Sequence, residues 1–232
     1  MNAIILAAGK QTRFFDNTRK SLVLIDKKIS LIEHNIKCLL SEGISNVFVV
    51  CQQEFKNDFE FLKSENVQVI PICGGNGCGG DLHDVLMTLK IDDYVLLWGD
   101  TYINDKKVVS ILIEEYKGEM LVPVVFEEHP YVRIITEGDE IVGAQYAKYG
   151  KVTGSGFHDL SIFAFNSDII LSYLSRLFRY APGETDFLDI FNIRERMQAR
   201  VLKNPRFNEK TTQSFNTVQE YDTIKREVNK CQ

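Results

Sequence analysis

Four short apolar runs, at residues 2–7, 47–51, 67–72 and 94–98, alternate with segments of helical periodicity, and that alternation restricts what the chain can fold into. Strands that are apolar along their whole length must be covered on both faces, as in a parallel sheet flanked by helices. The clearest helix is predicted over 30–42. Ser30 and Glu33 stand in capping-box spacing, Leu31, Ile32, Ile36, Leu39 and Leu40 form an apolar stripe, and Gly43 ends it. Further helices are expected at 82–90, capped by Asp81, and at 106–116. The resulting βα alternation points to an α/β fold with a mostly parallel sheet and helices on both faces.

After residue 119 the texture changes. Strands are expected at 120–126, 132–136, 141–146 and 160–165, then amphipathic helices at 168–179, 186–197 and 218–229. Thr217 and Glu220 stand in capping-box spacing before the last of these. No repeat or low-complexity linker interrupts the 232 residues, so a single domain is expected over 1–232.

Composition narrows the function classes. The chain carries a net charge of -5 and no basic block, which argues against a nucleic-acid partner. No apolar run approaches the roughly 20 residues that cross a bilayer, and the apolar start lacks a basic leader, so neither a membrane nor a signal peptide is expected. Five scattered cysteines without a CxxC pair fit reduced thiols and a cytoplasmic location. Cys73, Cys78 and His83 have no common zinc spacing.

Three features fall at the carboxyl ends of the expected strands, where open α/β sheets bind ligands. The first is the loop Leu6-Ala7-Ala8-Gly9-Lys10-Gln11-Thr12-Arg13, followed by Arg19-Lys20. Its small residues let backbone N–H groups approach a phosphate, and its basic residues add charge. Neither GxxxxGK[ST] nor GxGxxG is present. The second is Gly74-Gly75-Asn76-Gly77-Cys78-Gly79-Gly80, five glycines in seven residues, a cost in chain entropy that close ligand approach would explain. The third is Gly99-Asp100. Taken singly, Arg13 and Lys20 are ordinary surface charges and Asp100 an ordinary turn residue; on one rim they suggest a site for an anionic ligand. Trp98 and the phenylalanines read as core residues.

Leu6 to Arg13 with Lys20 resembles the LAAGxGTR…PK signature of the sugar-phosphate nucleotidyltransferases. Gly77-Cys78-Gly79-Gly80 is similar to their LGTGGA base-reading loop, Trp98-Gly99-Asp100-Thr101-Tyr102 to NGDTY, and Phe215-Asn216-Thr217-Val218-Gln219-Glu220-Tyr221 to the closing INTPEDL-type motif. The resemblance spans nearly the whole chain. It implies the nucleotide-diphospho-sugar transferase fold, a Rossmann-like mixed, mostly parallel sheet sandwiched by helices, with 1–118 mainly nucleotide-binding and 119–232 mainly acceptor-binding. It further implies nucleotidyl transfer from a nucleoside triphosphate to a sugar phosphate or related phosphorylated acceptor, with Mg²⁺ as cofactor and pyrophosphate as product.

By the same resemblance Arg13 and Lys20 are catalytic and grip the triphosphate, while Leu6, Ala7, Ala8, Gly9, Gln52, Gly75, Gly77 and Asp100 bind nucleotide. Asp100 and Asn216 hold the metal, with Ser214 the alternative second position. Lys148, matched to the lysine of an EKP segment, and Asp186 bind the acceptor. A short chain without an acetyltransferase extension favours CTP; a homodimer stays open. Gln11, Arg19, Cys78 and Asp81 depart from the family pattern, at the second glycine of GxGTR, the proline before the lysine, and the threonine and alanine of LGTGGA. Two other readings are a non-catalytic nucleotide-binding domain and a molybdopterin- or terpenoid-type nucleotidyltransferase.

Overall fold

Strand β1 (Asn2–Leu6) is apolar on both sides, and its alternating side chains feed two separate cores. Ile4 and Leu6 point into one with Leu82, Phe163 and Leu174; Ala3, Ile5 and Ala7 point into the other with Ile32, Leu39 and Val109. The computed structural model describes residues 1–9, 19–26, 28–90, 92–147, 150, 152, 154–180, 185–215 and 217–230, without the side chains of 180, 229 and 230.

β1 pairs in parallel with β2 (Val47–Gln52) and β4 (Asp93–Trp98), and β2 with β3 (Val67–Ile72). In this register Leu6 lies opposite Val50 and Trp98, and Gln52 opposite Ile72. The carboxyl ends of the four strands therefore form one rim. Helices α1 (Leu31–Ser41) and α4 (Lys107–Glu115) cover one face, and α3 (Gly77–Leu86) the other; α2 (Lys56–Phe59) is a single turn before β3. The Ser30–Glu33 capping box forms as expected, with Ser30 N–H donating to the Glu33 carboxylate at 2.9 Å.

Beyond β5 (Thr101–Ile103) the sheet continues through β6 (Met120–Glu127), β7 (Val132–Glu137), β8 (Glu140–Tyr146), β9 (Gly156–Asp159), β10 (Ile162–Asn166) and β11 (Ala199–Leu202). The order is β11-β8-β7-β9-β6-β10-β4-β1-β2-β3, ten strands in all. β10 joins the two halves by running antiparallel between β4 and β6. β11 also pairs with β6, so β6, β9, β7, β8 and β11 close on themselves. α5 (Ser167–Tyr180) packs beside α3, and the short β12 (Thr212–Ser214) pairs with β5. α6 (Val218–Lys230) closes over Val23, Ile25, Tyr102 and Phe215, with Tyr221 and Ile224 buried against them. Its capping box also forms: Thr217 N–H donates to Glu220 at 3.0 Å, and Glu220 N–H to Thr217 Oγ1 at 3.3 Å.

Two expected helices are corrected. The one expected at 82–90 begins inside the glycine run, at Gly77, and ends at Leu86. Asp81 is not its cap; it is buried in the helix and accepts the Asn76 N–H at 3.3 Å. The stretch 186–197 is not an α-helix but a 3-10 turn, Phe187–Asn192. Phe187, Leu188, Ile190 and Phe191 are all buried, and the Asn192 amide is tied to both the N–H and the carbonyl of Ala144, each at 3.0 Å. These two hydrogen bonds tie the end of the segment to β8.

Candidate active site

Close backbone approach builds the rim. Gly99 N–H donates to the Leu6 carbonyl at 2.9 Å, and a Cβ at Gly99 would lie 2.8 Å from both Cα and Cβ of Ala7. Only glycine lets the β4 turn lie against the first loop. Gln52 Nε2 donates to the Ala8 carbonyl at 2.7 Å, and Gly74, with φ of +70°, sits where any Cβ would be 2.8 Å from Gln52 Cγ. One glutamine side chain thus ties together the loops after β1, β2 and β3. Leu6, Ala7 and Ala8 are buried here and Gly9 is exposed.

Lys20 occupies a 3-10 turn, Lys20–Leu22, and is only 6% exposed. A buried ammonium needs partners. Its Nζ donates to Asp100 Oδ2 at 3.3 Å and to the Phe215 carbonyl at 3.0 Å, and lies 5.9 Å from the centre of the Phe215 ring. Three of the segments singled out in the sequence, around 20, 100 and 215, are therefore joined at one amine. Arg19, which stands where the family has proline, places its guanidinium 3.0 Å from the centre of the Phe55 ring, a stacked cation–π contact.

The glycine run divides into two functions. Gly74, Gly75 and Gly77 have positive φ and carry the chain from β3 into α3. Gly79 and Gly80 lie inside α3 and serve packing. A Cβ on Gly79 would press the Thr185 carbonyl oxygen at 3.2 Å, and one on Gly80 would meet Asn76 Cβ at 2.4 Å. Gly79 N–H donates to the Thr185 carbonyl at 3.0 Å, and Thr185 N–H to that of Asn76 at 3.1 Å. Cys78 accepts the Phe187 N–H at 3.2 Å and donates to Asp186 Oδ1 at 3.7 Å. The segment at 185–187 is thereby held against the start of α3.

A cleft of about 790 Å³ opens beside this cluster, with Asp100, Trp98, Asp186, Asp159, Ser161 and Ser214 among its walls. Trp98 is only partly core: it packs on Phe163 and Phe187, and it also lines the cleft. Ser161 is the one described non-glycine residue with positive φ, 57°, and its N–H donates to Asp159 Oδ1 at 2.9 Å. Ser214 Oγ lies 2.8 Å from Thr101 Oγ1 and 3.4 Å from Ser161 Oγ. Tyr146, another wall residue, has its phenol pKa pushed far up by burial first and then by the carboxylates of Asp189 and Asp186. Its hydroxyl stays protonated at any working pH.

Among the described residues no three His, Cys, Asp or Glu side chains gather as a metal cage. His83 instead contacts Ser175 and packs edge-on against Phe178. Asp100, a carboxylate of the cleft wall at the end of β4, suits an ion that keeps its waters and takes further ligands from phosphates, which is the habit of Mg²⁺.

Of the residues predicted from sequence, Leu6, Ala7, Ala8, Gln52 and Asp100 meet on the rim, Gly9 follows them, and Lys20 binds Asp100. Asp186 shares the cleft with Asp100. Arg13, Lys148 and Asn216 lie outside the described residues. Sequence reasoning missed Asp159, Ser161, Tyr131 and His158 as cleft residues. His158 and Asp159 lie in the short strand β9, Ser161 just after it and Tyr131 just before β7, and an aspartate two residues before a left-handed serine was the only local sign.

Residues 3–150 match the profile of the MobA-like NTP transferase domain. No curated protein matches the chain. Among solved structures, the CTP:phosphocholine cytidylyltransferase of Streptococcus pneumoniae superimposes with a TM-score of 0.77 at 18% identity, over 98% of each chain. A protein of Bacillus anthracis described as a glucose-1-phosphate thymidylyltransferase gives 0.79 at 18% identity, over 97% of this chain and 94% of that one. The inositol-1-phosphate CTP transferase of T. maritima gives 0.75 at 12%, over 98% and 96%. Such identities speak for the fold, the nucleotide-diphospho-sugar transferase architecture expected from the sequence. Because the domain profile spans well over half of its length, the chain belongs to the MobA-like NTP transferase family and is a nucleotidyltransferase.

Proposed function

We propose that the protein transfers a nucleoside monophosphate from a nucleoside triphosphate, CTP in preference to the others, to a sugar phosphate or related phosphorylated acceptor. Lys20 carries this reading: a buried ammonium on Asp100, at the rim where four parallel strands end. An oxygen of the acceptor phosphate attacks the α-phosphorus in line. A new P–O bond forms, the bond from the α-phosphorus to the bridging oxygen breaks, and pyrophosphate leaves with that electron pair. Both reactants are anionic, so the protein's contribution is positioning and charge neutralisation.

In this reading Leu6, Ala7, Ala8 and Gly9 present backbone to the phosphates, while Gln52, Gly75 and Gly77 border the base. Lys20 and Arg13 stabilise the departing charge. Asp100, with Asn216 or Ser214, holds Mg²⁺, which when bound offsets phosphate charge at the reacting centre. Lys148 and Asp186 orient the acceptor, so that 1–118 serves mainly the nucleotide and 119–232 the acceptor. Two of the similar structures are described as using CTP, which supports that preference.

The test is pyrophosphate release from each nucleoside triphosphate with Mg²⁺ and a broad panel of phosphorylated acceptors. We expect turnover with CTP; silence across the whole panel refutes the assignment.

A further inference from the structure

The cleft beside Asp100 has an unusual charge balance for a site that receives a phosphorylated molecule. Six carboxylates line it: Asp100, Glu127, Asp159, Asp186, Glu209 and Glu220. Among its described lining residues there is no lysine or arginine. Lys20 offsets Asp100 from beneath. Among the described residues the carboxylate of Asp159 has no such counterpart. Asp159 is only 4% exposed, accepts one hydrogen bond, from Ser161 N–H to Oδ1, and pairs with no cation among the described residues. A buried carboxylate held by a single backbone N–H is costly unless a cation reaches it.

The same cleft is rich in rings. Trp98, Tyr131, Tyr146 and His158 all contribute to its wall, and Tyr131 is 51% exposed at its mouth. Aromatic faces beside carboxylates attract ammonium groups through both the ring quadrupole and direct charge. Carboxylates and aromatic faces also bind sugar hydroxyls and C–H faces, but only a cation cancels the charge of a buried carboxylate such as Asp159.

We propose that the acceptor carries a cation: a short alkyl phosphate with an ammonium group at its far end, seated against Asp159 and the aromatic wall while its phosphate faces Lys20 and Asp100. The inference rests on the nucleotidyl-transfer reading above and narrows its acceptor class. Primary and quaternary ammonium groups share this chemistry, and the choice of acceptors separates them.

The experiment compares phosphocholine and phosphoethanolamine with 3,3-dimethylbutyl phosphate, the uncharged isostere of phosphocholine, and with glucose 1-phosphate. Pyrophosphate release by the full chain with Mg²⁺ and CTP gives kcat/KM for each. At least one ammonium phosphate is expected to exceed the isostere by about tenfold or more, the scale of a desolvated cation–π contact with a charge-assisted hydrogen bond. Asp159→Asn, which keeps an acceptor for Ser161 N–H, is expected to shrink the charged-to-neutral ratio severalfold. Should that variant not fold, Tyr131→Ala at the exposed mouth is expected to shrink it too. Equal use of charged and uncharged acceptors, or preference for glucose 1-phosphate, overturns the inference. If no acceptor releases pyrophosphate, the transferase reading fails separately, and calorimetric titration of the same four compounds still decides. Tighter binding of an ammonium phosphate upholds the inference; equal binding or none overturns it.

Discussion

Lys20 and Asp100 show how little a single residue type says and how much its partners add. A lysine 6% exposed, bonded at once to a carboxylate and to a backbone carbonyl, is held in place by the loop geometry around it. Lys20→Met keeps the length of the side chain beside Phe215 and removes the charge. Its kcat is expected to fall about 100-fold or more, the scale of losing one preorganised charge at a transition state. Steady-state pyrophosphate release checks this, with a thermal melt to show that the fold persists. Asp100→Asn should cost a similar factor and flatten the dependence of rate on Mg²⁺ concentration; an unchanged Mg²⁺ titration would remove Asp100 from the metal role. Asp100 was legible from its place just past the end of β4, and Lys20 from the resemblance of the first loop and its lysine to the family signature. Asp159 was not, since its burial depends on β9 lying against β6, with Asp159 opposite Val124.

At the scale of elements, α3 reverses an ordinary rule. Alanine in place of a helical glycine normally stabilises by about 1 kcal/mol. In α3 a Cβ at Gly80 would lie 2.4 Å from Asn76 Cβ, close to the backbone where nothing flexible can yield. Gly80→Ala is therefore expected to destabilise by about 1–3 kcal/mol, as overpacking does, and Asn76→Gly in the same chain should recover part of the loss. Urea unfolding of the two variants decides the sign; a stabilised Gly80→Ala would show that the helix start can shift freely. The glycine run was visible in the sequence, but its division into turn and helix was not, in part because the Thr185 segment, which demands glycine at 79, is remote in the chain. The 3-10 turn Phe187–Asn192 escaped for a related reason: its apolar spacing suits a helix, while the strand that holds its end, through the Asn192 bonds to Ala144, is remote in the chain.

For the molecule as a whole, α1 and α4 are clamped on one face of the sheet by Glu42, whose carboxylate meets Lys106 at 3.1 Å and Lys107 at 2.8 Å. The Lys107 hydrogen bond above all pulls the Glu42 pKa down to about 2. A depressed carboxylate pKa stabilises the fold above the ordinary carboxylate range, and that contribution is lost as pH falls through it toward 2. Glu42→Gln is thus expected to be less stable at pH 7, by no more than about 1 kcal/mol given the exposed lysines, and to lose less further stability than the native chain between pH 5 and 2. Thermal melts across that window test it, and parallel curves for the two proteins would dismiss the clamp. The chain alone determined the βα alternation, the two capping boxes and the turns that follow β1 and β4, because periodicity, capping and strand-end turns are local signals, whereas the meeting of Lys20 with Asp100 came from the fold. Only the tertiary structure decided which carboxylates and rings share the cleft and which glycines face other backbone, because each of those contacts joins segments far apart in sequence, brought together by sheet pairing that no local pattern encodes.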